Sequence, residues 1–190
     1  MSAGGYIVRE PMRLLEAEAW VIAKLGATPR AFHSRFVGGL MRSLAGQLAP
    51  SDAELWEITG LLHDLDFFVV DGDWHIHGRT AAAWLEGRLP LSAMLAIAAH
   101  DHRSGILSDA LLSRALRLCD ALAVLDQNAG REVTRGALPA GEAAIYLIAA
   151  DRPFLASMIV ELSDGLGVTL VELAQLLRTM PGQPANGETE

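Results

Sequence analysis

The chain has 190 residues and one cysteine, and 51% of its residues are hydrophobic, giving a mean hydropathy of +0.27. A net charge of −8 with Lys24 as the single lysine excludes a broad nucleic-acid-polymer footprint, which needs clustered Lys and Arg, but leaves room for a small anionic substrate held by a metal and one or two arginines. Cys119 alone excludes an internal disulfide and a thiolate metal site, so any metal is held by nitrogen and oxygen donors.

A chain of this length buries enough surface to need no staple. Ala and Leu dominate and aromatics are 6%, which predicts an all-α fold in one domain. No uncharged apolar run approaches the roughly 18 residues of a membrane span, and the longest, Leu89 to His100, is too short. Met1 to Glu10 lacks a cationic stretch followed by an apolar one. The expectation is no membrane and a cytoplasmic location.

Residues 1–10 read as frayed, and Pro11 to Leu25 as an N-terminal helix stopped by Gly26, within a segment 1–27. Thr28-Pro29 restarts a helix, with Thr28 as N-cap and Pro in the first turn. At 100° per residue, His33 shares a face with Phe36, Val37, Leu40 and Leu44. Ser51 and Glu54 have the spacing of a capping box, opening a helix that ends in the adjacent pair His63-Asp64. Leu65 to Val70 is an apolar segment of no clear type, and Asp71-Gly72-Asp73 is a turn. Helix resumes from about His77 to Arg88, placing His77 with Ala81 and Trp84. A further helix from Leu91 to about His100 places His100 with Ala93, Ala96 and Ile97. After the polar loop from His100 to Gly105, Ser108 is the expected cap of a long buried helix to about Asp126. That helix carries Asp120, whose ordinary partner would be Arg117. Gln127 to Gly136 reads as a loop, followed by helices at 140–150, 153–164 and 170–177 and a disordered tail, 181–190.

Three histidines on three apolar helix faces, a His-Asp pair at a helix end and a carboxylate in a buried helix form one constellation: His33, His63-Asp64, His77, His100 and Asp120. An ionised carboxylate in such a helix needs a cation or several donors, and these residue types are ligands for a hard-to-borderline metal. The segments are Phe32-His33-Ser34, Leu61-Leu62-His63-Asp64-Leu65-Asp66, His77-Gly78-Arg79-Thr80-Ala81-Ala82, Ile97-Ala98-Ala99-His100 and Leu118-Cys119-Asp120-Ala121-Leu122. Their order and helical context resemble the HD superfamily of metal-dependent phosphohydrolases. The resemblance covers about residues 28–126, with 127–180 as a C-terminal helical extension that covers the core, closes the pocket or forms the surface of a homodimer.

The resemblance implies that His33, His63, Asp64 and Asp120 bind one divalent ion. His77 and His100 match the positions that hold a second, with Asp64 bridging. Mn, Fe, Co, Ni, Mg and Zn all suit such donors. Relatives with two metals commonly have adjacent histidines, whereas Asp101 separates His100 from His102, a candidate further ligand. His75 reads as a solvent-exposed turn histidine. The implied chemistry is hydrolysis of a small phosphoester, such as a nucleotide, by a metal-activated water attacking phosphorus in line with the leaving oxygen. Asp64 is then catalytic, Asp66 and Asp73 are candidate proton donors, and Arg103 and Arg79 are candidate phosphate contacts. Two other functions fit the same superfamily: a diiron oxygenase acting on an organophosphonate or polyol, and a non-enzymatic regulatory domain.

Overall fold

A computed structural model describes residues 12–181, which form ten α-helices, two short 3-10 turns and no strand. The frayed segment expected at 1–10 and all but the first residue of the expected tail lie outside the described residues. No single described helix is long and apolar enough to cross a membrane.

Helix α1 (Leu14–Leu25) stops where predicted, at Gly26 with φ +64°. Helix α2 (Pro29–Leu48) starts as its sequence dictates, with the Thr28 hydroxyl accepting from the Ala31 amide and Pro at the first turn. Helix α3 (Ala53–Leu62) lies along α2, and the two backbones approach so closely that a Cβ on Gly60 would sit 2.8 Å from the Gly38 Cα. The expected capping box does not form: Pro50–Asp52 is itself a 3-10 turn, which takes Ser51 out of the extended conformation that an N-cap requires. Glu54 instead pairs with Arg13 at 3.7 Å.

Helices α4 (Arg79–Trp84) and α5 (Leu91–Ala98) are shorter than their periodicity predicts. His77 precedes α4 and His100 follows α5, so both are buried loop residues beside helix ends rather than members of a helical face. The reason at His77 is Gly78, whose φ of +73° cannot belong to a helix.

Helix α6 (Leu111–Ala129) is the central element and packs against α2, α5 and α9 (Pro153–Leu166). Ser108 does not cap it. The hydroxyl of Ser108 instead shares a hydrogen bond with Ser113 at 2.7 Å, three residues inside the actual start.

The loop expected at 127–136 is helical. Helix α6 runs on to Ala129, and α7 (Arg131–Ala140) follows after one glycine. The polar residues there mark an exposed face, while Thr134, Ala137 and Leu138 are buried at helical spacing. Arg131 anchors the region: it donates to buried Asp126 at 2.7 and 3.0 Å and to the carbonyls of Leu177 and Met180 at the end of α10 (Leu170–Thr179). Helix α8 (Glu142–Ile148) links α7 to α9, and α9 lays Leu155, Ala156 and Ile159 into the core.

Candidate metal centre

Four histidines and two aspartates from distant parts of the chain meet where the ends of α3 and α5 and the segment before α4 face the second turn of α2 and the middle of α6. Asp64 stands at the centre, and its two oxygens face different partners. Oδ2 lies 3.4 Å from His63 Nε2 and 3.8 Å from His33 Nε2. Asp120 Oδ1 closes that group, 3.0 Å from His33 Nε2 and 3.8 Å from His63 Nε2. Oδ1 of Asp64 lies 3.1 Å from His77 Nε2 and 3.5 Å from His100 Nε2. All but Asp120 are buried, and Asp120 keeps 26% of its side chain exposed toward a cavity.

The far side of each ring shows how these histidines are held. His63 Nδ1 donates to the Gly60 carbonyl and His100 Nδ1 to the Ile97 carbonyl, each at 2.7 Å and each one helical turn back. His77 Nδ1 donates to Asp66 Oδ1 at 2.8 Å. With the proton on Nδ1, all three rings turn an Nε2 lone pair toward the cluster, the tautomer a metal ligand needs. His63 Nε2 is fully buried and makes no hydrogen bond, an orphaned acceptor aimed at Asp64 and Asp120. Buried polar atoms without partners are costly, and a cation among these donors removes that cost. The residues therefore fit a divalent metal: His33, His63, Asp64 and Asp120 at one position, and Asp64, His77 and His100 at a second.

Protonation in the absence of a cation follows the same contacts. Burial works against charge on both carboxylates. At Asp64 the opposing charges of His63 and Arg30, with bonds from His100 and His77, hold the carboxyl well below its usual range. His33 and His63 do the same for Asp120. At His77 burial lowers the pKa, but the bonds to Asp64 and Asp66 prevail and raise it from 6.5 to about 9.

A group with a raised pKa contributes stability that is fully present below its unfolded value and lost as pH rises through the folded one. Chelator-treated protein is therefore expected to lose stability between pH 6.5 and about 9, measured by urea denaturation at each pH. Metal-loaded protein should not show this loss, because a ligating imidazole is already neutral.

The other sequence-predicted residues fall in different places. Asp66, expected as a proton donor, is fully buried, accepts from His77 and takes the Ala81 amide on its second oxygen at 3.1 Å. Both oxygens are engaged and neither reaches the cavity, so its part is to orient His77. In Asp66→Asn, the amide group must face either the Ala81 N–H, donor against donor, or His77 Nδ1, forcing the proton onto Nε2. The second metal position is expected to weaken about 10–100-fold while the first holds, read by metal titration.

Asp73 is a turn residue accepting from the exposed His75 amide, and neither lines the cavity. His102 is 75% exposed at the cavity rim and lies outside the ligand groups. Arg79 donates twice to the Ser104 carbonyl and braces the 101–105 loop; it does not line the cavity. Arg103 does line it, bound to Asp101 and lying 3.9 Å over the Trp74 ring. Arg117 bonds the Ser108 carbonyl rather than Asp120. Cys119 is buried and its thiol pKa is pushed up by burial, as befits a small core residue.

Sequence reasoning missed Arg30. Its Nη1 donates to Asp64 Oδ2 at 2.8 Å, its guanidinium lies 3.8 Å over Phe67, and it lines the cavity. The available signal was its place one turn before His33 on α2, which puts both on one side of the helix. Arg152, at the start of α9, was missed as well and lines the same cavity.

No curated protein and no solved structure matches the chain. The sequence profile of the HD domain does match, over residues 30–125, just over half of the chain and a span that contains all six clustered histidines and aspartates. An all-helical chain with that profile match, and with its histidines and aspartates gathered at one buried centre, belongs to the HD domain family.

Proposed function

We propose that the protein is a metal-dependent phosphohydrolase acting on a small phosphoester. HD domains are usually metal-dependent hydrolases, which supports the class. The observation that carries the reading is the division of five other histidines and aspartates between the two oxygens of Asp64, at the floor of a cavity of about 440 Å³ whose remaining cationic groups are arginines. That volume and the net charge of −8 favour a small anion over a polymer.

Divalent metal held by these residues supplies charge neutralisation at a phosphoryl group and acidifies a water at neutral pH. The chain's own residues do the rest. Asp64 sets the spacing of the two positions, while Gly60, Ile97 and Asp66 lock the ring orientations of His63, His100 and His77. Arg30 and Arg103, each stacked on an aromatic ring, present guanidinium N–H groups to the substrate's anionic oxygens.

The test is metal analysis of protein purified without chelator, followed by a phosphoester panel with added Mn, Co, Ni, Mg and Zn. Phosphate release that requires metal and disappears in His33→Ala and Asp120→Ala supports the proposal. About two equivalents of iron, with O₂ uptake on an organophosphonate or polyol and no phosphate release, replaces it with the oxygenase. Wild-type metal content in both variants would remove either enzyme.

A further inference from the structure

Beyond the metal ligands, the cavity has two kinds of wall. One is cationic: Arg30, Arg103 and Arg152. The other is apolar: Phe67, Val124, Phe154, Leu155 and Met158, the last three from α9, with Trp74 under Arg103. No Ser, Thr, Asn, Gln or Tyr side chain is among the described residues that line it. Asp101 is committed to Arg103, and His102 sits out at the rim.

A nucleoside or sugar carries several hydroxyl and amide-like groups. Burying them without neutral hydrogen-bonding partners is costly, and sites that select such groups do so by pairing each one. This wall has little with which to pair them. It offers instead apolar surface that the chain itself leaves open: Phe154 is 55% exposed, and Val124 and Met158 are only partly buried, although α9 buries Ala156 and Ile159 completely. A lining that combines arginines with open hydrocarbon matches a molecule with an anionic head and an apolar body.

Resting on the phosphohydrolase reading, we infer that the leaving group is an alkyl or aryl alcohol, seated against Val124, Phe154, Leu155 and Met158, rather than a nucleoside or sugar. In the reaction a water oxygen bonds to phosphorus and the ester P–O bond breaks. Its electron pair goes to the alcohol oxygen, which takes up a proton released by the water, so the products are the alcohol and inorganic phosphate. Residues of helix α9 then set specificity, while α2, α6 and the segments that follow α3, precede α4 and follow α5 carry the residues that would hold metal.

The experiment is calorimetric binding of methyl-, butyl- and hexylphosphonate and of a nucleoside 5′-phosphonate to metal-loaded protein under argon. Affinity is expected to rise about fourfold per methylene, and over five methylenes hexylphosphonate should bind on the order of 1,000-fold tighter than methylphosphonate. Phe154→Ala, a substitution at a largely exposed position, should remove roughly tenfold of the hexyl affinity and leave methylphosphonate within about twofold. Equal affinity for methyl and hexyl, or tighter binding of the nucleoside phosphonate than of hexylphosphonate, overturns the inference.

A parallel phosphate-release panel separates the two claims. Chain-length-dependent binding with no ester hydrolysed sinks the phosphohydrolase reading and leaves the apolar pocket standing. Hydrolysis with nucleotides preferred over hexyl and phenyl phosphate sinks the inference and leaves the hydrolase.

Discussion

Asp64→Asn is expected to empty both metal positions, whereas His77→Ala empties one. Among the described residues, Asp64 alone turns its two oxygens to different candidate ligand groups, Oδ2 toward His33 and His63 and Oδ1 toward His77 and His100. Asparagine keeps the shape but offers one acceptor oxygen and no charge, so each ion loses either an oxygen or the anionic counter-charge that holds it. The amide also presents donors to whichever pair of Nε2 atoms it faces. Metal-dependent hydrolysis should fall on the order of 10³-fold or more, because charge neutralisation and water activation both depend on the ions. Metal analysis after gel filtration reads the result directly: near zero equivalents for Asp64→Asn, and about half the wild-type content for His77→Ala. Equal metal loss in the two variants would show that His77 supports the whole centre rather than one position. Full retention in Asp64→Asn would show that Asp64 bridges nothing.

The second large effect is a backbone one. Gly78→Ala is expected to destabilise the protein by about 3 kcal/mol and to weaken metal binding at the His77–His100 position. Gly78 has φ +73°, which costs a residue with a Cβ about 1–2 kcal/mol. The added Cβ would also stand 2.4 Å from the Ile97 carbonyl oxygen and 3.0 Å from His100 Nδ1. Overpacking of this kind costs about a further 1–3 kcal/mol, and here the obstacle is backbone, which cannot swing aside. That same carbonyl accepts the His100 Nδ1 hydrogen bond, so relief of the clash displaces the group that orients His100. Urea denaturation gives the stability, with a fall of roughly 6–12 °C in Tm expected for a domain of this size. A variant as stable as wild type would mean that the α4 entrance rearranges freely, and His77 would then not be held as described.

Much of this protein is legible in its sequence because the signals are local. The Thr28-Pro29 start, the Gly26 stop and the apolar periodicity of α2, α3 and α6 depend on neighbours within a turn or two, and they predict an all-helical chain. The six clustered residues are legible for a different reason: imidazole and carboxylate are chemically marked wherever the chain puts them, and all six fall within the span that matches the family profile.

Local signals failed where a partner was remote. Ser51 and Ser108 have the composition of caps, but the backbone there is turned by the 3-10 segment and by the Ser108–Ser113 contact. The 127–136 segment looks like a loop until Arg131 is seen to tie Asp126 to carbonyls 46 and 49 residues further on. His77 and His100 leave their expected helices because Gly78 and the end of α5 press together.

The sequence by itself determined the fold class, the family and the chemical identity of the candidate ligands, since each follows from residue type and short-range spacing. Only the tertiary structure decided what those residues touch. Packing set Asp64 between two ligand groups, brought Arg30 to it across 34 residues, turned Asp66 from the cavity toward His77, spent Arg79 on the Ser104 carbonyl, and swung α9 over the cavity as its apolar wall. The physical reason is one of range. A cap or a helical face is fixed by bonds within about four residues, whereas the direction of a buried side chain is fixed by whichever distant surface fills the space against it.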